Sequence, residues 1–117
     1  MTIARLHPGA RMSQAVVHGA TVYLAGQVAD QAKGKSVSAQ TTEILAKIDG
    51  LLAEAGSDKT RVLSATVYLA DIGAFNEMNG VWDAWVAAGH APARATVEAK
   101  LAAPEYTVEI ACIAART

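Results

Sequence analysis

The run Arg61-Val62-Leu63-Ser64-Ala65-Thr66-Val67-Tyr68-Leu69-Ala70 decides the fold, because it reads as a β-strand that is apolar on both parities. Leu63, Ala65, Val67 and Leu69 alternate with Val62, Ser64, Thr66 and Tyr68, and successive strand residues face opposite sides of a sheet. The closing run repeats the pattern: Val108, Ile110, Cys112 and Ala114 alternate with Ala111, Ile113 and Ala115. Strands of this kind are usually covered on both faces.

Working outward, Val16 to Gln27 contains two β-branched runs broken around Gly19-Ala20, which predicts a hairpin over Ser13 to Val28. From Ser38 to Ala55 the apolar residues Ile44, Leu45, Ile48, Leu51, Leu52 and Ala55 recur at helical spacing, and Gly56 stands where a helix-ending glycine belongs. Asp71 is a candidate N-cap for a second helix with an apolar stripe through Phe75, Met78, Trp82 and Val86, closed by Gly89. Two further strands, Ala95 to Leu101 and Tyr106 to Ala115, are separated by the proline-marked turn Ala102 to Glu105. The order is hairpin, helix, strand, helix, strand, strand, and right-handed crossovers set both helices on one sheet face. The other face then lacks a cover of its own, and self-association is the economical way to supply one. Partial exposure, which alanine-rich strands tolerate, is the alternative.

The chain has 117 residues and a formal charge of −1, so a single domain over residues 1–117 is expected, without the field that gathers nucleic acid or an anionic membrane. Cys112 is the only cysteine and lies in an apolar run, which excludes an intrachain disulfide and a cysteine metal cluster. No signal-like or membrane-length apolar stretch is present, and a cytoplasmic location is expected.

The chemistry concentrates in Ala91-Pro92-Ala93-Arg94-Ala95-Thr96-Val97-Glu98, where an arginine opens a strand behind a proline-stiffened loop. On an extended chain Arg94, Thr96 and Glu98 share a face at steps of about 6.8 Å. A guanidinium there can grip a carboxylate through two parallel hydrogen bonds. The competing reading is an edge ion pair of Arg94 with Glu98 or Glu109.

Pro92-Ala93-Arg94-Ala95-Thr96-Val97-Glu98 resembles the signature of the reactive intermediate deaminase family, also called Rid or YjgF-like. Val108 to Ala114 resembles that family's closing strand, Tyr23 to Val28 its early glycine-glutamine strand, and Phe75 to Trp82 its second helix with a recurring asparagine. The resemblance runs from about Ser13 to Arg116. It implies an α+β, chorismate-mutase-like fold, a mixed sheet with two helices on one face, and a homotrimer whose sheets form a barrel with ligand clefts between subunits. It also implies hydrolysis of 2-imino or 2-enamino acids to ammonia and a 2-keto acid, with no cofactor and no metal. Carried over, Arg94 is the carboxylate anchor and Thr96 a hydroxyl facing the ligand. Ala25 and Gly26 supply backbone contacts, and Asn79 a contact across the cleft.

The chain departs from the family pattern at two positions. Met12 stands where the deaminases carry a tyrosine, and Ala111 where they carry a glutamate that positions the hydrolytic water. Glu109, two residues earlier on the same strand face, is a candidate accessory group or a structural one. Three functional readings follow: an imine/enamine deaminase, a non-catalytic carboxylate-binding or protein-protecting trimer, and an endoribonuclease or translation inhibitor. The last has the least support, since no basic or aromatic-basic surface for RNA is evident. His7, His18 and His90 lack ligand spacing and read as surface residues. Cys112 reads as a buried small hydrophobe, Trp82 as core, and Trp85 as an interface edge.

Overall fold

A computed structural model describes residues 1–117. Its six strands are β1 (Ile3–Leu6), β2 (Ala15–His18), β3 (Thr21–Gln27), β4 (Val62–Leu69), β5 (Ala93–Glu98) and β6 (Val108–Ala115), and its helices are α1 (Val37–Glu54) and α2 (Phe75–Trp85). They form one mixed sheet in the order β1-β2-β3-β6-β4-β5. Only the β4–β5 pair is parallel, as its α2 crossover requires. The fold is thus α+β with both helices, packed on each other, over one face.

The hairpin forms as read, with Gly19 at φ +61° in a two-residue turn that demands a positive φ at its first position. Helix α1 buries Ile44, Leu45, Ile48, Leu51 and Leu52, the expected stripe. Ser36 caps its start through the Ala39 N–H, and Gly56 at φ +81° ends it, with Ser57 N–H donating to the Leu52 carbonyl. Gln40 is fully buried on α1 yet satisfied: it donates to the carbonyls of Lys35 and Glu105 and accepts from Thr107 N–H, which ties the entry of β6 to the start of the helix.

Several expectations are corrected. Strand β1 was not anticipated; four residues on a sheet edge carry too little alternation to be read, and they are held by backbone pairing to β2. Leu63 does not share the core face with Ala65, Val67 and Leu69: the pairing with β6 slips between Val62 and Ser64, so Val62 is 6% exposed and Leu63 54%. A bulge of this kind breaks the alternation that sequence parity assumes. Asp71 caps a short 3₁₀ turn over Ile72–Ala74, through Gly73 N–H, rather than α2 itself. Helix α2 stops at Trp85, with Val86 already extended. Strand β5 starts two residues and ends three residues earlier than expected, because its ladder with β4 begins at Ala93 and ends at Glu98. Strand β6 begins at Val108 rather than Tyr106.

The loop from β3 to α1 is held by Glu43, whose carboxylate accepts the N–H groups of Asp30 (2.6 Å), Gln31 (3.2 Å) and Ala32 (2.7 Å). Lys47 adds contacts to the Val28 carbonyl and to Asp30, each at 2.8 Å. The backbone donors at Asp30 and Ala32 hold the Glu43 carboxyl below its ordinary value of 4.5. A depressed carboxylate stabilises the fold fully above its unfolded value and loses that contribution as pH falls through the folded one. Glu43→Gln is therefore expected to lower the melting temperature most above pH 4.5. The gap from wild type should close on acidification, which a pH series of thermal melts will read; a gap independent of pH would mean that shape, not charge, holds the loop. No helix is long and apolar enough to cross a membrane.

Candidate functional site

Arg94, Thr96 and Glu98 do share a face of β5, and the parallel register decides which. Arg94 lies beside Ala65, Thr96 beside Val67 and Glu98 beside Leu69, all on the face that carries the helices. The Arg94 guanidinium packs against α2, with its centre 4.9 Å from the Trp82 ring and 5.8 Å from the Phe75 ring. Its Nη1 donates to Asn79 Oδ1 at 2.8 Å and touches Met78 Sδ at 3.9 Å. No carboxylate pairs with it: Glu98 accepts the Ile72 N–H at 3.0 Å, and the Glu109 carboxylate sits over Gly26. Both ion pairs weighed from the sequence are absent, and Arg94 is a half-buried cation balanced by neutral groups. Thr96 Oγ1 is buried with no hydrogen-bond partner in the chain.

The remaining sequence-derived residues lie elsewhere. Ala25 and Gly26 form a bulge in β3 opposite Ala111 of β6, since Leu24 pairs with Cys112 and Gln27 with Ile110. The buried Gln27 side chain fixes this bulge by donating to the Ala25 carbonyl (3.1 Å) and to Gln14 Oε1 (2.9 Å), a role its sequence position did not signal. A cleft of about 550 Å³ brings Met12 beside Gly26, with Gln14, Lys47 and Glu54 along its wall. Glu109 and Ala111 alternate with the buried Val108, Ile110 and Cys112, so they face the side of the sheet without helices. Ala65 neighbours both Arg94 and Cys112, which puts β5 and β6 two strand spacings apart, roughly 10 Å. Within one chain, Arg94 and Thr96 therefore stand on the opposite face from Glu109 and Ala111, and one small ligand cannot touch both sets.

Gly26 is where the second set is tightest. A Cβ there would come within 2.9 Å of Glu109 Cδ and 3.1 Å of its Cγ. Gly26→Ala should push the Glu109 carboxylate aside at about 1 kcal/mol, the low end of overpacking because the obstructing group is the end of a flexible side chain. Denaturant unfolding checks this, and a loss several times larger would mean that Glu109 has nowhere to go.

Other groups take structural places. Burial raises the Cys112 thiol to about 12, so it stays protonated near neutrality. Trp85 Nε1 donates to Asp49 at 3.1 Å and joins the two helices. His7 meets Glu54 at 2.6 Å, while the ring of His90 contacts the Ala88 carbonyl. His18 is exposed at the end of β2.

A mixed six-stranded sheet with two helices on one face and an arginine opening the outer parallel strand defines a recognisable class of small α+β proteins. The family model described as Endoribonuclease L-PSP matches residues 2–116, and the chain belongs to this family, the YjgF/Rid proteins. It is similar to the RutC family protein YoaB of Escherichia coli, at 47% identity over 115 residues covering 98% of this chain and 99% of that one. The 2-iminobutanoate/2-iminopropanoate deaminase of Bos taurus is 36% identical over 107 residues, covering 87% of this chain and 77% of that one. Among solved structures, a YjgF family member from Neisseria meningitidis superposes with a TM-score of 0.96 at 49% identity, covering 100% of this chain and 97% of that one.

Proposed function

We propose that this chain is a hydrolytic deaminase of 2-imino or 2-enamino acids, working as a cytoplasmic homotrimer of chorismate-mutase-like architecture. The observation that carries the reading is the unpaired Arg94: a half-buried guanidinium whose hydrogen-bond acceptors, the Asn79 amide and the Met78 thioether, are both neutral still has a full charge to offer a carboxylate. The similarity to a protein named as an imine deaminase supports the same chemistry. Arg94 holds the carboxylate, water adds to the imine carbon, and collapse of the adduct expels ammonia and leaves the 2-keto acid.

A second chain completes the site in this reading. The half formed by Arg94 and Thr96 meets the half formed by Ala25, Gly26 and Glu109 only across a subunit boundary, since the two halves stand on opposite faces of one sheet. The sheet face without helices leaves Tyr23 45%, Val97 42% and Ile113 36% exposed, an apolar surface suited to burial against other copies. Sedimentation should find three chains per particle, and Ile113→Asp should shift the population towards monomer. A wild-type monomer at micromolar concentration would remove the shared cleft.

One observation favours a second reading. Ala111 carries no water-handling group, and the Glu109 carboxylate is drawn over Gly26, so a carboxylate-binding trimer without catalysis stands beside the enzyme. The discriminating experiment supplies imino acids from an amino acid oxidase and follows ammonia. The deaminase reading expects release faster than the spontaneous rate and lost in Arg94→Ala; equal rates with and without protein would leave the binding reading.

A further inference from the structure

Phe75, Met78, Asn79 and Trp82 fall at helical spacing on α2 and lie on one face of it, and all four meet Arg94. The same stripe that packs Met78 and Trp82 into the core thus also grips a guanidinium. What the four share is neutrality. The rings attract a cation through their quadrupoles, and Asn79 offers an amide oxygen where an aspartate of nearly the same shape would offer a charge. Each of these contacts stabilises the guanidinium without cancelling its charge. Their hydrogen bonds engage one nitrogen, Nη1, while Nε and Nη2 have no hydrogen-bond partner in the chain. That edge carries the parallel pair of donors a carboxylate accepts in bidentate fashion.

We propose that Asn79, with Trp82 and Phe75, forms a charge-preserving cradle that fixes the orientation of the Arg94 guanidinium, with Asn79 as a positioning residue that acts on the ligand through Arg94 rather than by touching it. The proposal rests on the reading of Arg94 as a carboxylate anchor, but the orientation itself can be observed without ligand. A fixed guanidinium rotates slowly about its Cζ–N bonds and sits in the ring current of Trp82, so its N–H signals are resolved and displaced.

The test combines nitrogen-15 NMR of Arg94 in the unliganded protein with the affinity for 2-oxobutanoate, in wild type, Asn79→Ala, Asn79→Asp and Phe75→Ala. Asn79→Ala should collapse the resolved Arg94 signals and weaken binding by about tenfold, the size of one lost hydrogen bond. Asn79→Asp should keep the signals resolved, because it keeps the acceptor, yet weaken binding more than Asn79→Ala does, because an internal carboxylate then competes with the ligand. Phe75→Ala should broaden the signals and weaken binding less. A purely structural Asn79 would make the alanine and aspartate variants alike in both readouts, and that result, or an Arg94 signal indifferent to Asn79→Ala, overturns the cradle. Signals that depend on Asn79 in a protein with no Arg94-dependent affinity for 2-oxobutanoate would uphold the cradle and overturn the anchor reading instead.

Discussion

Replacing Arg94 with alanine should weaken binding of a 2-keto acid carboxylate by about 1.5–3 kcal/mol, roughly 10- to 150-fold, the worth of a charge-assisted hydrogen bond. The expectation follows from what Arg94 lacks. It has no ion pair, its acceptors are the neutral Asn79 amide and Met78 sulfur, and α2 holds it near two aromatic rings. The charge is therefore available, and truncation removes attraction to the ligand without leaving an orphaned carboxylate in the chain. Folding should survive for the same reason. Arg94→Lys should recover little of the loss, because an ammonium cannot donate to Asn79 and still present two parallel donors. Calorimetric titration with 2-oxobutanoate, alongside a thermal melt of each variant, separates affinity from stability. Equal affinities in wild type and Arg94→Ala would place the anchor elsewhere.

Local features of this site and fold were legible in the sequence, and long-range ones were not. The stripe from Ile44 to Leu52 and the alternation from Val108 to Ala114 are periodic signals, and both elements formed where that period placed them. Arg94 and Thr96 share a face because alternate strand residues must. Which face depends on the parallel register with β4, a pairing between segments about thirty residues apart that no local pattern encodes. The separation of Arg94 from Ala111 has the same origin. Leu63 was misplaced because a bulge is a property of two paired strands, not of one. Gln40 and Gln27 looked like ordinary polar residues, and their buried clamping roles depend on carbonyls supplied by distant loops and by the bulge. The ion pairs weighed for Arg94 failed through competition: Glu98 is engaged by the Ile72 N–H, and Glu109 faces the other side of the sheet.

Ala111→Glu should raise imine hydrolysis by about 10²- to 10⁴-fold while hardly changing carboxylate affinity, since a group that orients or deprotonates water acts mainly on the transition state. Position 111 lies beside Thr66 and opposite the Ala25–Gly26 bulge, on the face without helices. The partly exposed site gives a longer side chain room to enter the cleft proposed between subunits. Glu109 stands two residues away on the same face, about 7 Å along the strand. The cost is desolvation of a new carboxylate at the proposed intersubunit surface, so oligomeric state and melting temperature must match wild type before rates are compared. Because Arg94 is on the opposite face of the same chain, the gain should vanish in the double variant with Arg94→Ala and in any monomeric form. A well-folded Ala111→Glu trimer with no gain, beside a wild type that releases ammonia through Arg94, would assign water handling to another group, with Glu109 the first to replace by glutamine. If neither protein releases ammonia, the deaminase reading fails and the carboxylate-binding reading takes its place.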